Sequence, residues 1–168
     1  MKIQFIQTGG TIDKDYPKVS KGYAFEISKD ESAMKRIIEN IDPAFEYEII
    51  PLLQKDSLEI TDLDRKLIAK ICFDSKYDKI IVTHGTDTMV ESAKEVANLL
   101  INNIAKVIIF TGSIRPERFN NSDAHFNLGT AIGALNILKS GVFIAMNGMV
   151  YEYDNVIKNE ETGQFESK

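Results

Sequence analysis

Lys79-Ile-Ile-Val-Thr-His-Gly-Thr-Asp-Thr-Met-Val-Glu91 is the stretch on which the fold turns. Lys79 to Thr83 is an apolar, β-branched run of the length expected for a strand covered on both faces. After the turn, Val90, Ala93, Ala97, Leu100 and Ile101 recur at helical spacing. A buried strand that passes through a tight polar turn into a helix belongs to a βαβ unit, and hence to a parallel sheet. Thr88-Met-Val-Glu91 has the form of a capping box, so Thr88 and Glu91 are expected to satisfy the first amides of the helix. His84-Gly85-Thr86-Asp87 is then a loop at the carboxyl end of a strand, where open α/β sheets hold ligands. One reading makes Thr86, Asp87 and Thr88 helix caps and nothing more. A cap needs only one such side chain, and the preceding Gly85 permits close backbone approach, so the loop is also a candidate site.

Similar units lie on either side. Lys2 to Gln7 carries Ile3, Phe5 and Ile6 and reads as a strand running into Thr8-Gly-Gly-Thr-Ile-Asp13. That double glycine does not match the Gly-x-Gly-x-x-Gly fingerprint, which argues against a dinucleotide cofactor. Lys14 to Ser28 is polar, interrupted by Pro17 and Gly22, and scattered with Tyr16, Tyr23 and Phe25, as in a covering loop or a short hairpin. Glu31 to Asn40 is predicted helical, stopping before Pro43, and Tyr47 to Leu53 is a second strand. Thr61 is predicted to cap a helix carrying Leu63, Leu67, Ile68 and Ile71, leaving Asp56 and Ser57 at the loop tip.

Lys106 to Thr111 is another buried strand, followed by Gly112-Ser-Ile-Arg-Pro116. Ser122 or Asp123 is predicted to open a helix through Lys139, whose Gly129, Ala131, Gly133 and Ala134 are expected to pack closely on the sheet. Val142 to Met146 is a fifth strand and Val150 to Tyr153 a short extra one, and the polar tail from Asn155 is expected to fray at its end. The predicted fold is a single α/β domain: a doubly wound, mainly parallel sheet with helices on both faces, a Rossmann-like three-layer arrangement. Its post-strand loops share one edge, so Thr11, Ser57, Thr86 and Asp87 are expected to converge.

The 168 residues, 43% hydrophobic and 27% charged, suit one core. A net charge of -5 without any basic block argues against nucleic acid or an anionic membrane as partner. Cys72 sits among Leu67, Ile68 and Ile71 at helical spacing, which predicts a core residue, and one cysteine excludes an intrachain disulfide. With no apolar stretch of membrane-spanning length, a cytoplasmic protein is expected.

The converging loops offer hydroxyls on Thr11, Ser57 and Thr86 and a carboxylate on Asp87, with Lys158 as a base if the tail folds back over that edge. His84 and His125 have no neighbouring nucleophile and are expected to be structural. Acidic residues are scattered, so neither metal nor cofactor is expected. What remains is nucleophilic catalysis by a threonine, activated by an amine of lowered pKa, with backbone amides stabilising the oxyanion.

Thr8-Gly-Gly-Thr-Ile12, Thr83-His-Gly-Thr-Asp-Thr-Met89, Phe110-Thr-Gly-Ser-Ile-Arg-Pro116 and Ser122-Asp-Ala-His-Phe-Asn-Leu128 together resemble the bacterial-type L-asparaginases, amidohydrolases of asparagine and often glutamine. The resemblance implies that Thr11 is the nucleophile, Thr86 the second catalytic threonine and Asp87 the holder of the substrate ammonium. Asp154-Asn-Val-Ile-Lys158 is similar to the family pattern Asp-x-Val-x-Lys, which makes Lys158 the catalytic amine. Ser57 resembles the serine that holds the substrate carboxylate, and Asp56 and Ser113, in the same motifs, are expected on the binding side. Tyr16 is the better match to a tyrosine that closes over the substrate, with Tyr23 second.

Family members also carry a second, smaller domain, and the resemblance implies a site completed by residues from that domain of a neighbouring subunit. Residues 1–168 are therefore expected to be the N-terminal catalytic domain alone, with the smaller C-terminal domain absent and a homo-oligomer expected to cover the exposed surface. The implied partner is a small amino acid, asparagine or aspartate. The alternative is a non-catalytic amino-acid-binding or regulatory domain that keeps the pocket.

Overall fold

The computed structural model describes residues 1–16, 25–27, 31–101 and 105–168. In chain order its elements are β1 (Lys2–Gly9), a 3-10 turn (Thr11–Asp13), β2 (Lys14–Asp15), β3 (Glu26–Ile27), α1 (Ala33–Ile41), β4 (Glu46–Lys55) and a 3-10 turn (Ser57–Glu59). Then follow α2 (Asp62–Asp74), β5 (Lys79–Thr83), α3 (Met89–Leu100), β6 (Val107–Thr111), α4 (Ala124–Ala134), β7 (Gly141–Met146), β8 (Met149–Glu152), β9 (Ile157–Lys158) and β10 (Phe165–Glu166).

The main sheet runs β4-β1-β5-β6-β7-β8; its first five strands are parallel and β8 is antiparallel to β7. From β1 the chain moves outward to β4, then returns to the opposite side of β1 for β5. Strand order therefore reverses between β1 and β5, and such a switch point opens a crevice at the carboxyl ends of the strands. Pro51, which has no N–H to offer a ladder, lies in β4 at the sheet edge.

The continuous apolar strands divide their residues between two layers, as the two-residue repeat of a strand requires. Ile80 and Val82 of β5, Ile108 and Phe110 of β6, and Val142 and Ile144 of β7 pack with Ile68, Cys72, Val96 and Leu100 of α2 and α3. Ile81, Ile109 and Phe143 face the other way, with Ile3 and Phe5, against Ile37 and Ile38 of α1 and Leu128 and Ala131 of α4. Each fully buried Ile or Phe of this kind stabilises the fold by about 1.5–3 kcal/mol.

Helix boundaries follow local chemistry with some departures. Ser32 caps α1 by accepting from the Lys35 amide at 3.2 Å, and Asp42 ends it in the left-handed region. Thr61 opens α2 as expected, in a reciprocal box with Asp64. The box expected at Thr88 and Glu91 does not form. The Thr88 hydroxyl instead donates to the Ser57 carbonyl at 2.7 Å, a long-range tie. α4 stops at Ala134 rather than Lys139, and the chain tightens into i to i+3 bonds, Asn136 N–H to the Gly133 carbonyl and Ile137 N–H to Ala134. Gly129 and Gly133 face open space, so the close packing expected of them is carried by Ala131 and Ala134 instead.

The polar tail is anchored before its last few residues. Val156 and Phe165 insert into the α2–α3 side of the core, the Tyr151 hydroxyl donates to the Phe165 carbonyl at 2.8 Å, and β9 and β10 form an antiparallel hairpin. The expected covering segment is described at its two ends, where β2 and β3 pair as a hairpin, Lys14 opposite Ile27 and Asp15 opposite Glu26. Pro17, Gly22 and Tyr23 lie outside the described residues.

Candidate active site

At the switch point the loops after β1, β4 and β5 touch through their backbones. Gly10 has φ of 89°, and a Cβ there would lie 2.4 Å from the Gly85 nitrogen; a Cβ on Gly85 would lie 2.6 Å from Cβ of Ser57. Only glycine permits both the backbone angle at Gly10 and these approaches. The Gly10 amide donates to the Lys55 carbonyl at 2.9 Å, and the Thr8 hydroxyl to the Thr83 carbonyl at 2.8 Å. Thr11 and Thr86 each follow a glycine of this contact, Gly10 and Gly85, from positions far apart in sequence.

Beside them a polar cluster forms directly. Lys158 Nζ, carried in by the β9–β10 hairpin, donates to Thr86 Oγ1 at 2.9 Å and to Asp87 Oδ1 at 2.5 Å. Ser57 Oγ donates to Asp87 Oδ2 at 3.4 Å, a long bond. Thr86 and Ser57 are buried, and the Lys158 side chain is 22% exposed. The amine therefore has a hydroxyl and a carboxylate as fixed partners, in a geometry suited to passing a proton.

Thr11 opens on its own cavity of about 540 Å³, lined also by Lys14, Phe25, Ile114, Arg115, Pro116 and Phe119. Tyr16 stands at the rim, 59% exposed, its ring 4.7 Å from that of Phe25 and 6.2 Å from Phe119. Asp56 caps the turn at Ser57 and pairs with Lys14 at 2.5 Å; that hydrogen bond, reinforced by the Leu58 amide, holds its carboxyl below the usual range. Ser113 is buried with its hydroxyl donated to the Arg115 carbonyl at 2.5 Å. The structure thus brings together Ser57, Thr86, Asp87 and Lys158, places Thr11 one residue from the Gly10 that meets Gly85, and gives Asp56 and Ser113 roles in shaping loops.

Three supporting residues escaped the sequence reading. Asp123, expected as a helix cap, accepts instead from the Ile114 and Arg115 amides at 3.0 Å each and from Asn127 Nδ2 at 2.8 Å. Asn127, fully buried, also donates to the Gly112 carbonyl and accepts from the Asn147 amide, both at 3.0 Å. Asp13, 3% exposed, accepts from the Ala33 amide at 2.8 Å, and so ties the turn holding Thr11 to the start of α1. Burial raises the Asp13 carboxyl above its usual range, against the pull of the Ala33 and Gln7 hydrogen bonds. Apart from the Asp123–Asn127 bond, which joins positions four apart, the partners lie on other loops or strands, and sequence spacing does not identify them.

His84 is fully buried between the Gly85 carbonyl, 2.8 Å from Nδ1, and Ser92 Oγ, 2.8 Å from Nε2. A carbonyl only accepts, so Nδ1 carries the proton and Nε2 accepts from Ser92. Desolvation pushes its pKa down to about 4, leaving it neutral. Among the described residues no group of three His, Cys, Asp or Glu is placed to hold a metal.

A doubly wound α/β domain with a hydroxyl, amine and carboxylate cluster at its switch point defines a small class of proteins. Residues 2–167 match the asparaginase N-terminal domain, and the chain belongs to that family. It is 33% identical over 147 residues to the L-asparaginase of Thermococcus kodakarensis, a match covering 86% of this chain and 44% of that protein. To the glutaminase-asparaginase of Acinetobacter glutaminasificans it is 28% identical over 164 residues, covering 93% and 49%. The solved structure of the thermostable L-asparaginase from T. kodakarensis superposes with a TM-score of 0.82 at 28% identity, over 99% of this chain and 51% of that one. The chain thus spans about half the length of the relatives it matches.

Proposed function

We propose that this domain hydrolyses the side-chain amide of asparagine, or of its one-methylene-longer homologue glutamine, to the acid and ammonia. The observation that carries the reading is the position of Lys158 Nζ, 2.9 Å from Thr86 Oγ1 and 2.5 Å from Asp87 Oδ1. In this reading Thr11 attacks the amide carbon and Lys158, through Thr86, receives and returns the proton. Asp87 holds the substrate ammonium on Oδ2, since Oδ1 is committed to Lys158. Ser57, aided by Asp56 and Ser113 as loop-setting neighbours, takes the substrate carboxylate, and Tyr16 covers the bound molecule. The names of the relatives, L-asparaginase and glutaminase-asparaginase, support the substrate class.

Release of ammonia from asparagine, measured with a coupled assay, tests the reading. Thr11→Ala, Thr86→Val and Lys158→Met are each expected to lower kcat by about a hundredfold or more, whereas Ser57→Ala is expected mainly to raise KM by removing binding common to ground and transition states. Near-normal turnover in Lys158→Met withdraws the amine from the mechanism. Asparagine binding seen by calorimetry without ammonia release replaces the reading with that of a non-catalytic amino-acid-binding domain.

The proposal extends to residence in the cytoplasm, supported by the single buried thiol, and to self-association, supported by the exposed apolar side chains of Leu63, Phe126 and Ile137. Among the described residues no helix is long and apolar enough to cross a membrane. A monomer by light scattering at high concentration argues against self-association.

A further inference from the structure

The cavity beside Thr11 is lined on its far side by residues unlike those of the Lys158 cluster. Ser57, Thr86, Asp87 and Lys158 do not line it; Phe25, Ile114, Pro116 and Phe119 give it an apolar wall, and Lys14 and Arg115 supply its cations. Lys14 is neutralised by Asp56 at 2.5 Å. Arg115 has no carboxylate partner among the described residues, in contrast to Arg36 with Glu117 and Arg65 with Asp62. Among the described residues its guanidinium donates to the Asn121 carbonyl alone, at 3.2 Å.

The backbone that carries this arginine is held on both sides. Its amide donates to Asp123 Oδ1 at 3.0 Å, and its carbonyl accepts from Ser113 Oγ at 2.5 Å and Ser122 Oγ at 3.1 Å. An exposed guanidinium on a loop fixed in this way is pre-organised for a planar anion. In the proposed reading the amino-acid end of the ligand sits at Asp87 and Ser57, outside this cavity, so Thr11, which lines it, has the cavity free for the leaving nitrogen of the amide. A cavity of about 540 Å³ there has room for a substituent on that nitrogen far larger than two hydrogens.

We propose that the site also hydrolyses β-aspartyl dipeptides, in which the amide nitrogen belongs to a second amino acid whose carboxylate rests on Arg115. The proposal relies on the reading of Thr11 as nucleophile. Thr11 Oγ bonds to the β-carbonyl carbon and gives its proton to the amine base. The C–N bond breaks with its electron pair on nitrogen, which takes that proton and departs as the amine of the second amino acid. Water then cleaves the Thr11 ester, so one water is consumed and aspartate and the second amino acid are released.

The experiment compares three substrates on the intact chain: asparagine, β-aspartylglycine and the uncharged β-aspartylglycinamide. The expected result is glycine release from β-aspartylglycine with kcat/KM about tenfold or more above that for glycinamide release, the preference one charge-assisted hydrogen bond confers. In Arg115→Gln that preference collapses to within about twofold, and the loss for β-aspartylglycine exceeds the loss for asparagine by about tenfold. Ammonia from asparagine with no glycine from the dipeptide overturns this inference and leaves the asparagine reading intact; no turnover of any substrate overturns both. Equal loss on asparagine and dipeptide in Arg115→Gln also overturns it, because Arg115 then serves the common amino-acid end.

Discussion

Acidification to about pH 4 is expected to destabilise the domain by about 3 kcal/mol through His84 alone. The folded imidazole has its pKa pushed from 6.5 down to about 4 by burial, and at about 1.4 kcal/mol per pKa unit that displacement sets the magnitude. In the unfolded chain His84 binds its proton near pH 6.5, so between 6.5 and 4 the unfolded state carries more protons. Falling pH therefore draws the equilibrium toward unfolding across that window, and the stability present above pH 6.5 is lost progressively down to about 4. Below it the folded imidazole protonates too, and Nε2 can no longer accept from Ser92. Urea melts between about pH 7 and pH 4 read the effect, with His84→Gln as reference; the difference between the two proteins has a slope approaching 1.4 kcal/mol per pH unit. Because the chain has two histidines, a His125→Gln variant leaves one imidazole signal, and NMR titration then assigns the pKa directly. A folded-state midpoint near 6.5 would refute the reasoning, since it means that the ring is hydrated.

Phe165→Ala, which empties a site where the ring is only 4% exposed, is expected to open the β9–β10 hairpin at a cost of up to about 3–5 kcal/mol; hydrogen exchange over residues 157–166 measures it, and unchanged protection sinks the anchor role. Gly85→Ala places a Cβ 2.6 Å from that of Ser57 and is expected to destabilise by about 1–3 kcal/mol in thermal melts, whereas an unchanged melting temperature shows that the loops separate freely. Cys72, whose thiol burial pushes up to about 12, should resist iodoacetamide in the folded protein and react in urea; native labelling contradicts its place in the core.

The sheet was legible because its strands are short runs of Ile and Val that mean the same thing in any context; β5 appears at Lys79–Thr83 as predicted, and β6 within one residue. Thr61 was readable as a helix cap because the amide it accepts from, that of Asp64, lies in the same turn. Thr88 has the same local pattern, yet its hydroxyl finds an acceptor in Ser57, a competition that three-residue spacing cannot reveal. The tail was less legible for a related reason: Phe165 stands alone among polar residues and Val156 is joined only by Ile157, and only the shape of the α2–α3 layer shows that both are core. Ser57, Thr86 and Asp87 were candidates because strand-end loops converge, and Lys158 because Asp154 to Lys158 resembles the family pattern, while Asp13, Asp123 and Asn127 make supporting bonds to partners that sequence spacing does not identify.

The backbone contact between Gly10 and Gly85 also bears on thermal motion. With no side chain between them to act as a soft spacer, a displacement of one loop pushes directly on the other, so Thr11 and Thr86 travel together. Their separation should fluctuate less than the position of either one relative to the helices. On warming, such a pair does not drift gradually out of alignment; it holds until β1 and β5 themselves part, and the geometry is then lost in a single step.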